Sequence, residues 1–149
     1  MQMRITVAAL AAVGMLTIPN DRTADVAAPA DVAALGPGDI TLLPGYRHEA
    51  ERGKDTRIGR IWKEGGLTVR YDIGRGAGNA VKTHARDDLL WYKEQVVQGR
   101  QVLLGLTKDR TLYVTFPQTS ANFSGKTMSD EDLVDMLVMV LTYAPSVKP

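Results

Sequence analysis

Gly74, Gly76 and Gly78 occupy alternate positions in the stretch YDIGRGAGNAVKT, directly after a run with strand character, and such a loop raises the chemistry of phosphate binding. A dinucleotide fingerprint requires Gly-x-Gly-x-x-Gly between a strand and a helix, and here Asn79 stands where the third glycine belongs. A Walker-type loop requires Gly-Lys-Ser/Thr, whereas Gly78 is followed by Asn79, Ala80 and Val81 before Lys82 and Thr83. Neither pattern is met. No nucleotide and no other cofactor is expected there, and the glycines read as a loop that tolerates positive backbone dihedrals.

The motif HEAER (48–52) falls one residue short of the zinc-protease helix motif, because Arg52 takes the place of the second histidine. A permanently charged guanidinium is no metal ligand, His84 is the one other histidine and cysteine is absent, so no metal site is expected. Ser120 and Ser124 are candidate nucleophiles for His48 or His84, but no Gly-x-Ser-x-Gly elbow accompanies them. Asp55 and Asp72 fall near one end of a hairpin, where paired carboxylates would suit acid–base work, although an ion pair between Arg57 and Asp72 is the simpler use of that charge. No catalytic residue is assigned on these patterns. The sequon NFS marks Asn122 as a possible glycan acceptor.

The elements that must position these residues begin after a distinctive N-terminus. MQMR supplies a basic start and ITVAALAAVGMLTI an apolar run shorter than the roughly 20 residues of a spanning helix, so 1–18 is expected to be a signal peptide or an uncleaved anchor. An Ala/Pro-rich linker over 19–38 follows, and 39–149 is expected to form a single globular domain. Without cysteine, that domain has no disulfide to hold it in an oxidising compartment.

Within the domain, TRIGRIWK and LTVRYDI read as a hairpin over 56–73 joined at Gly65-Gly66. A two-residue turn there pairs Trp62 with Val69 and turns Arg57, Lys63 and Arg70 to one outward face; a three-residue loop would shift that register by one. Strands are expected near 89–97, 101–107 and 111–116, with Leu90, Tyr92 and Val96 facing Val102, Leu104 and Leu106. The alternative is one helix over 80–97, on the stripe Val81, Ala85, Leu89, Tyr92 and Val96. Ser129 followed by three acidic residues, then Leu133, Met136, Leu137, Val140 and Leu141 at helical spacing, predicts a helix over 130–143. The sum is an α+β domain: a small antiparallel sheet of about five strands with the C-terminal helix on one face.

Charge decides the functional expectation. Between Tyr46 and Lys126 there are fifteen Lys and Arg against nine Asp and Glu, while both flanks are acidic. This mild excess is too dispersed for a nucleic-acid footprint. The expected activity is that of an exported binding module, periplasmic or secreted, that takes an acidic envelope component or a protein through Arg57, Lys63 and Arg70, with Trp91 and Tyr113 as stacking surfaces. The membrane is met only through the N-terminal segment. A small exported hydrolase using His48 or His84 with carboxylates, and an accessory subunit of an envelope assembly, are the alternatives.

Overall fold

The computed structural model describes residues 38–84 and 88–145; the segments read as signal and linker lie outside these residues except for Gly38. β1 (Gly38–Asp39) pairs antiparallel with β9 (Ala144–Pro145), joining the start of the described chain to its end. Between them, β2 (Arg47–Glu51), β3 (Arg57–Trp62) and β4 (Thr68–Ile73) form one meander, and β5 (Leu89–Val97), β6 (Arg100–Thr107), β7 (Thr111–Phe116) and β8 (Ala121–Lys126) form another. The two meanders meet at β4 and β8 in a single antiparallel sheet of order β2-β3-β4-β8-β7-β6-β5. The chain between β4 and β5 must therefore travel from the middle of the sheet to its far edge. It does so over one face, where the short helix α1 (Ala80–His84) packs on β6 and β7 with Val81 buried.

The other face belongs to the helix α2 (Asp130–Leu141). Ser129 and Asp132 form a reciprocal capping box, and Asp130, Glu131 and Asp132 place negative charge at the positive end of the helix dipole. At the opposite end, the Arg100 guanidinium stacks over the Phe116 ring and donates to the Leu141 carbonyl. Met136, Met139 and Val140 are fully buried against Ile61, Val69, Phe123, Leu112 and Val114, and Tyr143 closes the cluster against Phe116 and Phe123. The helix comes close at Gly125, where a Cβ would lie 3.0 Å from the Met136 sulfur. Tyr46 anchors the flank by donating to Asp135 at 2.9 Å; burial, and then this carboxylate, push its phenol well above its ordinary range.

Several expectations need correction. There are seven strands in the main sheet, not about five. β2 carries no local strand signal because RHEAE is an exposed edge strand with no apolar alternation, and β8 carries none because ANFSGK places asparagine, serine and glycine in a central position. The helix ends at Leu141, and the helical alternative over 80–97 holds only for Ala80–His84.

The first hairpin turns through three residues. Lys63 donates to the Leu67 carbonyl, Gly66 closes the turn onto Lys63, and Gly65 takes the left-handed φ of 68° that the turn requires. Ile61 therefore pairs with Val69 and Trp62 with Thr68, a shift of one residue that inverts β3: Ile61 is buried under α2, while Ile58, Arg60 and Trp62 turn to the other face. A bulge at Leu90 does the same to β5. Trp91 and Val97 pack against the core, whereas Leu90, Tyr92 and Val96 are 63%, 42% and 71% exposed.

Removing α2 should be decisive for stability. Burial of each large apolar side chain contributes about 1.5–3 kcal/mol against a total of about 5–15 kcal/mol for a domain. A chain ended at Thr127 is expected to show no cooperative melt by circular dichroism, and a cooperative melt would contradict the packing described.

Candidate functional site

The face away from α2 is polar in its central strands. Register sets Arg60, Arg70, Ser124 and Tyr113 side by side in one cross-strand row, and Ile58, Asp72, Asn122 and Thr115 in the next. At one end of this open face Arg47 lies opposite Trp62, and Lys126 opposite Thr111. The Arg47 and Arg60 guanidinium carbons stand 5.5 and 6.0 Å from the Trp62 ring centroid, within cation–π range. Glu49 Oε2 accepts two hydrogen bonds from Arg60, one from Nε and one from Nη2, and this contact holds the guanidinium above its ordinary pKa.

Asn122 organises the middle. Its Nδ2 donates to the carbonyls of Ala77 (3.1 Å) and Gly78 (3.2 Å), and its Oδ1 accepts from the Ala80 amide (3.0 Å) and the Thr115 hydroxyl (2.7 Å). Every hydrogen-bonding position of this buried amide is occupied. The glycan reading of NFS is thereby overturned, since both Nδ2 hydrogens are committed inside a central strand. The glycine-rich loop also finds its role here. Gly74 (φ 144°) and Gly78 (φ 64°) bend the chain onto the open face, and Asn122 fastens it there as the start of the crossover to β5.

Between that loop and β3 lies a groove of about 280 Å³ lined by Glu51, Ile58, Arg70, Asp72, Tyr113 and Ser124 beneath Ala77 and Ala80. Asp72 Oδ1 is buried and accepts no hydrogen bond from the described residues, and Arg70 makes no ion pair with any of them. The groove thus offers a cation, carboxylates, two hydroxyls and an aromatic ring whose capacity is unspent.

The residues expected to form one surface separate into three places. Arg70 and Tyr113 share this groove. Arg57 lies opposite Ile73 and lines a separate depression with Asp55, and Lys63 sits 5.7 Å from the Tyr46 ring on the helix side; the one-residue register shift removes both from the face of Arg70. Trp91 packs against the core of the helix face. His48, on the helix side of β2, shares a 2.8 Å hydrogen bond between Nε2 and the Tyr71 hydroxyl, and burial lowers its pKa as it raises that of Tyr71. It therefore lies on the opposite side of the sheet from Ser124 and Asp72. The side chain of His84 lies outside the described residues. No group of three or more metal-ligating side chains occurs among the described residues.

Comparison with protein-family models, with curated proteins and with solved structures finds no match to this chain.

The role of Asn122 is directly measurable. Asn122→Ala removes four hydrogen bonds and leaves the Ala80 amide and two loop carbonyls without their partner, a change expected to cost about 1–3 kcal/mol. Hydrogen exchange at Ala80 should accelerate well beyond exchange in β3 and β4. Unchanged protection at Ala80 would show that the crossover is held by something else.

Proposed function

We propose that the chain is an exported, non-catalytic module that binds an acidic polymer of the cell envelope through its open sheet face. The observation that carries this reading is the set Arg47, Arg60, Arg70 and Lys126, spread over adjacent strands around Trp62, of which Arg60 alone has a carboxylate within ion-pairing distance among the described residues. An array spread over four adjacent strands suits a chain of repeating anionic groups better than a compact anion, because its charges are distributed along the sheet. Export rests on the basic start and the apolar run at the N-terminus. Against a hydrolase stands the separation of His48 from the serine and carboxylate of the groove by the thickness of the sheet. A second reading, a subunit of an envelope assembly, draws on exposed Leu90, Tyr92 and Val96 along the edge strand β5.

Capture on immobilised polyphosphate tests the reading. Changing Arg47, Arg60 and Lys126 together to Gln should abolish capture of the full chain with little change in its melting curve, whereas changing Arg57 and Lys63 to Gln should leave capture intact. Raised salt should weaken capture by the unmodified protein, since exposed charges are screened over about 8–10 Å near physiological ionic strength. Capture that survives the triple change would place the interaction off this face.

A further inference from the structure

The open face is not uniformly basic. Its cations gather at the Arg47, Trp62 and Lys126 end, while Glu51 and Asp72 line the groove on the far side of Arg70. An anion sliding along the cations meets two carboxylates as it enters the groove, and Asp72 has one oxygen withdrawn from solvent with no donor to it among the described residues. A carboxylate in that condition is stabilised by a positively charged donor more than by a hydroxyl, because partial desolvation strengthens the charge-assisted bond. Arg70, next but one to Asp72 on β4 and on the same face, is placed to take an acid group at the same time. Tyr113, in the same row as Arg70, supplies a ring for stacking, and Ser124 between them supplies a hydroxyl. The volume of the groove is at the lower limit for a small-molecule site, which suits one unit of a polymer.

We infer that the groove is a subsite for a ring bearing an ammonium group, held by Asp72 and Glu51, in a chain whose neighbouring acid group is held by Arg70. The occupant is a unit of an amino-substituted acidic polysaccharide, with alternating positive and negative substituents. This rests on the proposal of acidic-polymer binding and narrows it, since a purely anionic chain leaves the Asp72 and Glu51 side of the groove uncompensated.

Two matched probes differ only in the group at issue: a tetrasaccharide of alternating glucuronate and N-acetylglucosamine, and the same tetrasaccharide after removal of its acetyl groups. Titration calorimetry with the full chain should find the de-acetylated form bound about tenfold or more tightly, the scale of a charged hydrogen bond. Asp72→Asn should erase that preference while leaving polyphosphate capture equal or stronger, and Arg70→Gln should weaken binding of both tetrasaccharides. A surface that reads net charge alone predicts the opposite order, with the more anionic acetylated probe preferred. That order, or a preference for the de-acetylated form that persists in Asp72→Asn, overturns the inference. Retained polyphosphate capture alongside such a result leaves the acidic-polymer reading standing; loss of both removes both.

Discussion

A twelve-residue helix packs on one face of a seven-stranded sheet, and among the described residues it is the one helix of that length. That constraint governs the rest. The inward residues of β4, β7 and β8 are apolar because α2 lies on them, and the same alternation makes their outward neighbours Thr68, Arg70, Ser124, Tyr113 and Lys126. A sheet covered on one side must keep the other compatible with water, and it does so with charge and hydroxyls, assisted by a crossover segment too short to form a second covering layer. The candidate site is what this arrangement leaves open.

The crossover is held to a polar surface, which a hydrophobic contact alone would not place with precision. Asn122 solves this by occupying a central strand, where its backbone is fixed on both sides by β4 and β7, and spending its amide on Ala77, Gly78, Ala80 and Thr115. The groove beside it lies between the loop, pinned at 77–80, and the side chains of Arg70, Asp72 and Tyr113. Position of the loop and shape of the groove are therefore one feature.

Legibility in the sequence followed the locality of the signal. α2 was readable from Ser129, its acidic first turn and the spacing of Met136 and Val140, and β7 from the alternation of Leu112, Val114 and Phe116, because each rests on neighbours within a few residues. The register of β3 was not, since it hangs on whether the turn at Gly65 has two or three residues, and a single residue decides which side of the sheet Arg60 and Ile61 occupy. β8 reads as a loop in isolation, and only its place between β4 and β7 makes a strand of it. Arg70 and Tyr113 fall together because each strand's own alternation turned them outward. Asp72 was singled out in the sequence as half of a carboxylate pair or as the ion-pair partner of Arg57, and Ser124 and Asn122 for unrelated motifs. What brings the three to one groove is pairing between residues some fifty positions apart, which no local pattern encodes.

Binding at the face opposite α2 is tested by amide chemical shifts of the full chain during titration with a soluble polyanion. Perturbations are expected to concentrate at Arg47, Arg60, Thr68, Arg70, Ser124 and Lys126, with α2 silent. Perturbations centred instead on Val134 and Val138 of α2, or along the edge of β5, would contradict it.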